Sequence, residues 1–244
     1  MLTVSKLVVR HPGFHLGPVS FSAAPGEFVC VVGPNGSGKS TLITALLGLL
    51  APAEGSGSWQ GSDLSARDPA VVARISFVSD SADDVFAQFS ADEFWQYCRG
   101  VRDRAVPGIA RSARDRAARL ARALDYPDPA KPLTSCSLGT RRKAQLVAAL
   151  QCSPELLVLD EPFIGLDFMA ARAFEEVLRE CVAEGTTVLS SSHDLDLAAR
   201  IATRLLVLAD GELRLDERVA EVGGVDALES HVLDAIRGAR RVTT

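Results

Sequence analysis

The sequence predicts an α/β fold in which an antiparallel β layer and a helical lobe flank a core of buried strands, and three observations carry that reading. Phe28-Val29-Cys30-Val31-Val32 is a short, β-branched apolar run of the kind buried on both faces of a parallel sheet, and it leads through a glycine-rich loop into an apolar helix over Leu42 to Leu50. Leu2 to Phe28 alternates apolar with polar or small residues, broken at His11-Pro12-Gly13, Gly17-Pro18 and Pro25-Gly26, which predicts short antiparallel strands joined by turns. From Ser90 the apolar period lengthens to that of helices.

The loop after the first buried strand carries the chemistry. Its residues are Gly33, Pro34, Asn35, Gly36, Ser37, Gly38, Lys39, Ser40 and Thr41, which match G-x-x-x-x-G-K-S, a Walker A loop. Glycines permit backbone angles and close approaches that a Cβ forbids, so successive N–H groups converge on one anion, a nucleotide's phosphate tail. The helix that follows adds its positive N-terminal end, Lys39 is long enough to reach the β- and γ-phosphates, and the Ser40 hydroxyl is placed for Mg²⁺. A glycine-rich turn before a core helix is the plain alternative, and it leaves the lysine unexplained.

After that helix, Ala51 to Ser58 reads as a turn-rich connector, Trp59 as the start of a strand, and Ile75-Ser76-Phe77-Val78 as a further buried strand with Ser79-Asp80 just past its end. Ser90-Ala91-Asp92-Glu93 has the form of a capping box, with Phe94, Trp95 and Cys98 as the apolar stripe of the helix it opens. A second helix over about Ile109 to Leu124 places Ala113, Ala117, Leu120 and Leu124 on one face and Arg111, Arg114, Arg119 and Arg122 elsewhere, as expected of a solvated arginine-rich side. Pro127, Pro129 and Pro132 end it.

Ser135 to Thr140 is a small-residue turn before a helix with Leu146 and Leu150 four apart, a second helix N-terminus able to face an anion. Leu156 to Leu159 is a fully apolar strand that delivers Asp160 and Glu161 at its carboxyl end, where open α/β sheets bind ligands. Thr186 to Ser190 reads as another strand, followed by Ser192-His193-Asp194; Leu205 to Leu208 reads as the last one, turning at Asp210-Gly211, and the tail is expected to be helical over Ala227 to Ile236.

Composition narrows the function. A net charge of −5 at pH 7 exerts no general pull toward nucleic acid or anionic lipid. The five cysteines are odd in number, widely spaced and without a C-x-x-C pair, which argues against a disulfide framework or a zinc site and for a reducing, cytoplasmic setting. The longest apolar run, near Leu42 to Pro52, is too short to cross a bilayer.

Taken together, these motifs make the chain resemble the ATP-binding subunit of ABC transporters from Leu2 to about Leu215. Cys136-Ser137-Leu138-Gly139-Thr140 looks like the family's signature, Leu156 to Asp160 like Walker B with Glu161 next, Gly165-Leu166-Asp167 like the D-loop, and His193 like the switch histidine. The resemblance implies a P-loop NTPase of ABC type over residues 1–244, with a helical subdomain at about 85–152 and a C-terminal tail at about 216–244. It implies ATP and Mg²⁺, with Asp160 on the metal, Glu161 orienting or deprotonating the attacking water, and His193 sensing the γ-phosphate. It also implies a homo- or heterodimer in which Ser137, Leu138, Gly139 and Thr140 close over the partner's ATP, and a transmembrane permease subunit that holds the chain peripherally at the inner face of the membrane. No nucleic-acid partner is expected.

The sequence departs from the family pattern in three places. Leu138 and Thr140 stand where glycine and glutamine are commonest in the signature, and no tyrosine marks the adenine-stacking position, leaving His11 or Phe14 as candidates. The Q-loop glutamine position falls on Asp80, a third candidate metal ligand unless it merely ends its strand. The short C-terminal tail and the Ser-x-Gly-Thr-Arg form of the signature lean toward export. A non-transport ABC ATPase in translation or DNA repair, and a nucleotide-sensing module without turnover, are the alternatives; the first calls for tandem ATPase units or a long coiled-coil insertion, the second for a damaged catalytic set.

Overall fold

The computed structural model describes residues 1–81 and 88–240. The chain opens with β1 (Leu2–His11) and β2 (Phe14–Ala23), an antiparallel hairpin with Leu2 opposite Ala23 and His11 opposite Phe14. The expected break at Gly17-Pro18 does not occur: both residues lie inside β2, where the Gly17 N–H donates to the Gly211 carbonyl at 2.7 Å. Next come β3 (Phe28–Val32), buried at every position, and α1 (Lys39–Leu46), which begins at the loop's lysine and ends four residues before Leu50.

The connector expected over 51–58 is largely strand. β4 runs from Glu54 and ends at Trp59, pairing with β1 on one side and with β5 (Ser62–Asp63) on the other. Gly57 has a packing reason: a Cβ there would come under 3.0 Å from the Leu46 side chain of α1, so at that position the strand meets the helix without a side chain. A short helix, α2 (Pro69–Val72), and β6 (Ile75–Val78) follow.

The helical lobe contains α3 (Ala91–Ala105), α4 (Ala113–Ala123) and α5 (Leu138–Leu150); its expected start at 85 lies outside the described residues. The capping box is present, with the Ser90 N–H on Glu93 Oε2 at 2.8 Å and the Glu93 N–H on Ser90 Oγ at 3.3 Å. α4 starts four residues later than its spacing predicts, because Pro107-Gly108 opens a turn whose Gly108 N–H is taken by the Asp103 carboxylate at 2.9 Å. Ala113, Ala117, Leu120 and Leu124 are buried and the four arginines named above are exposed, as expected.

The rest of the chain alternates strand and helix: β7 (Leu156–Leu159), α6 (Phe168–Ala183), β8 (Thr187–Ser192), α7 (Leu195–Ile201), β9 (Arg204–Ala209), β10 (Glu212–Arg218) and α8 (Val225–Arg240). The strand at 204–209 is therefore not the last, since β10 doubles back on it in antiparallel register after Asp210-Gly211. Helices α6 and α7 also go beyond the elements read from the sequence.

Among the described residues one sheet is antiparallel, in the order β2-β1-β4-β5, and the other runs β10-β9-β3-β8-β7-β6, parallel except for β10. The two-residue period divides each central strand between two cores. Phe28, Cys30 and Val32 of β3, with Leu157 and Leu159 of β7, face the helical lobe and α6; Val29, Val31, Leu156 and Val158 face α1 and the antiparallel sheet. Strands buried on both faces need continuous apolar runs, which is why these segments stand out in the sequence. The carboxyl ends of the adjacent strands β3, β8 and β7 thus release Gly33, His193 and Asp160 along one edge of the sheet.

Candidate nucleotide-binding site

That edge forms a cleft of about 480 Å³ whose wall includes Asn35, Gly36, Gly38, Lys39, Ser40 and Thr41. The Lys39 ammonium donates to the Gly33 carbonyl at 2.8 Å and the Pro34 carbonyl at 3.2 Å, so the loop wraps its own cation. Gly38 has φ +105, in the left-handed region, and a Cβ there would stand 2.8 Å from the Phe14 ring. Ser37 is 4% exposed and its hydroxyl has no hydrogen-bond partner among the described residues. A glycine-lined concavity with a lysine at its floor and an unpartnered hydroxyl in its loop fits an anion with several acceptor oxygens.

The rest of the lining includes residues just past β6, β7 and β8, although Asp160 itself is not among them. Asp160 is 2% exposed and accepts a hydrogen bond from Ser191 Oγ at 2.5 Å. Ser191 Oγ in turn accepts the N–H of Glu161 at 3.0 Å, and Glu161 sits at φ +46, a left-handed conformation uncommon outside glycine. The carboxylate of Glu161 lies 2.9 Å from His193 Nδ1, and both side chains line the cleft. Asp80 lines it as well, just beyond β6. The hard oxygens of Ser40, Asp160 and Asp80 suit Mg²⁺, an ion that characteristically takes few protein ligands and completes its shell with phosphate and water.

The two adenine-site candidates separate. Phe14 lines the cleft and packs on Gly38, whereas His11, across the hairpin from it, is exposed and lies outside the cleft lining.

The signature residues are not part of this lining. Ser137 N-caps α5, its Oγ accepting the Thr140 N–H at 3.2 Å and lying 3.0 Å from Thr140 Oγ1. Leu138 is 46% exposed, and Gly139 backs directly onto the Gly165 carbonyl. Asp167 N-caps α6 by accepting the Ala170 N–H at 2.9 Å and pairs with Lys143 at 3.4 Å, so the turn at 165–167 is fastened to α5. The Ala170 N–H, then the Lys143 charge, hold the Asp167 carboxyl below its ordinary value.

Two residues of this region escape the sequence reading. Ser191 announces itself only as one of three serines, Ser190 to Ser192, in a strand that is otherwise fully buried, a polar run that needs partners. Arg142, 0% exposed, is hidden among the arginines and lysine that follow the signature turn.

The sequence model of the ABC transporter family matches residues 16–164. The chain belongs to the ABC transporter family. Over 234 residues it is 34% identical to a Streptomyces coelicolor protein named as an ABC transporter ATP-binding protein, covering 90% of this chain and 38% of that one. The chain therefore spans about two fifths of that relative's length. It is 33% identical over 235 residues to the hemin import ATP-binding protein of Rhodopseudomonas palustris, covering 93% of this chain and 87% of the relative. A solved ATP-binding subunit of an ABC transporter superposes with a TM-score of 0.86 at 24% identity, covering 96% of this chain and 99% of that one, so the fold is that of the P-loop ATP-binding cassette with its antiparallel sheet and helical lobe. No helix of the described residues is long and apolar enough to cross a membrane.

Proposed function

We propose that the chain is the ATP-hydrolysing subunit of a bacterial ABC transporter, a single cassette that dimerises around Mg-ATP and drives a separate membrane subunit. The observation that carries the reading is the meeting of the Glu161 carboxylate and His193 at 2.9 Å in the cleft that Lys39 also lines. A nucleotide-sensing module without turnover would not need that pair.

In this reading the loop N–H groups and Lys39 bind the β- and γ-phosphates, and Phe14 stacks on the base. Mg²⁺ supplies charge neutralisation of the phosphates, with Ser40 and Asp160 as its holders and Asp80 as a further one. Glu161 accepts a proton from water or orients it for in-line attack on the γ-phosphorus, while His193, beside the same carboxylate, senses the γ-phosphate. Ser137 and Gly139 lie outside their own chain's cleft, which supports a composite site: they would complete the cleft of a second cassette, with Asp167 at the joint.

The membrane subunit would keep the cassette at the inner face of the membrane. The export direction expected from the sequence gains no support from the relatives, one of which is named for hemin import, and direction is not part of the proposal. Phosphate release by the purified protein, alone and with its membrane subunit, tests the reading: turnover stimulated by that subunit is the expected result, and none in either setting overturns it.

A further inference from the structure

Residues 79–81 lie between two cavities. Asp80 lines the nucleotide cleft, whereas Ser79 and Ser81 line an apolar groove of about 690 Å³ between β6 and α3. What fixes this alternation is a pair of side chains on one face of α5. Arg142 Nη1 donates to the Ser79 carbonyl at 2.5 Å and to Gln145 Oε1 at 3.2 Å, Arg142 Nη2 donates to the Asp80 carbonyl, and Gln145 Nε2 donates to the Ser81 carbonyl at 3.4 Å. Three consecutive carbonyls are thus held from one helix. A guanidinium removed wholly from water is expensive, and the main-chain oxygens compensate in part by accepting from both Nη atoms, while Nε has no partner among the described residues.

We propose that Arg142 is a positioning residue for ATP hydrolysis: by gripping the Ser79 and Asp80 carbonyls it holds the Asp80 carboxylate over the nucleotide cleft. Because Arg142 stands on the helix whose N-terminus is the signature turn, it also ties the loop over this chain's nucleotide to the element that would serve the partner's. The assignment rests on the ATPase reading given above, and it concerns a residue that does not line the nucleotide cleft.

The test is a cycle of Arg142→Met and Asp80→Asn, with hydrogen exchange on the nucleotide-free protein as a second readout. Arg142→Met should lower kcat by about ten- to a hundredfold, the scale of a misplaced catalytic group, with the KM for ATP within about twofold. In the Asp80→Asn background the same change should cost less than about threefold, since residues that act through one another are not additive. Exchange in a peptide spanning Ile75 to Ser81 should quicken by about tenfold in Arg142→Met while that of β7 is unaltered. Equal losses in both backgrounds, a loss confined to KM, or unaltered exchange at 75–81 would each overturn the proposal. Arg142→Gln repeats the measurements if the methionine variant fails to fold; loss of the fold in both assigns Arg142 to the core alone and overturns it too. The exchange readout needs no turnover, so a wild type that releases no phosphate defeats the ATPase reading and leaves the grip on 79–81 separately measurable.

Discussion

Ser191 joins Asp160 and Glu161 through one hydroxyl, donating to the Asp160 carboxylate at 2.5 Å and accepting the Glu161 N–H at 3.0 Å. The bridge joins the end of β7 to the adjacent strand β8, so the acid expected on the metal and the acid expected on the water are set relative to each other by a residue of the neighbouring strand. It also supports Glu161 at φ +46, a backbone conformation that persists in a non-glycine residue only when its surroundings enforce it.

Ser191→Ala should therefore lose more than a hydrogen bond. It leaves a buried carboxylate oxygen and a strained N–H without that partner, at a cost of about 1–3 kcal/mol in unfolding free energy, and it should lower kcat, whereas Ser191→Thr keeps the hydroxyl and should recover part of both. Urea unfolding and phosphate release measure the two effects. An alanine variant as stable and active as wild type would mean that the bridge does not set this geometry.

Glu161→Gln should retain Mg-ATP and lose turnover by about 10²- to 10⁴-fold, the range for a missing general base. With hydrolysis blocked, the composite site should persist, and gel filtration at saturating Mg-ATP should show a dimer. A monomer under those conditions would count against closure by the signature of a second chain.

Lys39→Ala should weaken Mg-ATP binding by about ten- to a hundredfold, the equivalent of one charged hydrogen-bonding group on the phosphates. Titration calorimetry reads this directly. Unchanged affinity would remove Lys39 from the phosphate site.

Much of this architecture was legible in the sequence because the signals were local. Phe28 to Val32 and Leu156 to Leu159 are continuous apolar runs since they are buried on both faces, and the capping box at Ser90 is a three-residue spacing that satisfies two N–H groups. What stayed hidden was decided at a distance. Glu54 to Ser58 looks like a linker because its glycines answer to close neighbours, Gly57 to Leu46 of α1 and Gly55 to the backbone of β1, not to strand preference. β10 carries its half-buried Leu213 and Leu215 between charged residues, as an edge strand does, and its pairing with β9 depends on the turn at 210–211. By contrast, α6 has a regular stripe of Phe174, Val177, Leu178 and Cys181, a helical period that is visible in the sequence. The roles of Ser191 and Arg142 depend on which strands and loops become neighbours, and one sequence does not carry that.

Cys98 offers a pH test of the lobe. Burial pushes its thiol up to about 11, against the pull of the nearby Arg102 charge. The folded state therefore keeps a proton that the unfolded chain releases, so this contribution to stability is intact below the ordinary cysteine value and is lost as pH rises toward about 11. Denaturation midpoints measured from pH 8 to pH 11 should fall less steeply in Cys98→Ala than in wild type. Parallel curves would show that Cys98 does not contribute to the decline.

Gly139→Ala tests the contact between the signature helix and the turn at 165–167, and two effects of opposite sign decide it. Alanine is a better helix former than glycine by about 1 kcal/mol, and at the first turn of α5 the backbone would accept it. Its Cβ, however, would come under 3.0 Å from the Gly165 carbonyl oxygen, a main-chain atom with no flexible end to swing aside. Gly165 is itself at φ +84 and Leu138 already packs against it, so relief requires the whole turn to move away from α5, carrying Asp167 off Lys143. Overpacking of this kind costs about 1–3 kcal/mol, enough to outweigh the helix term, and the melting temperature should fall by a few degrees. Neither glycine lines the cleft, so ATP affinity of the monomer should be unaltered, while ATP-dependent dimerisation should weaken when Gly139→Ala is combined with Glu161→Gln. A raised melting temperature with undiminished dimer would show that the helix preference prevails and that α5 and the 165–167 turn do not act as one unit.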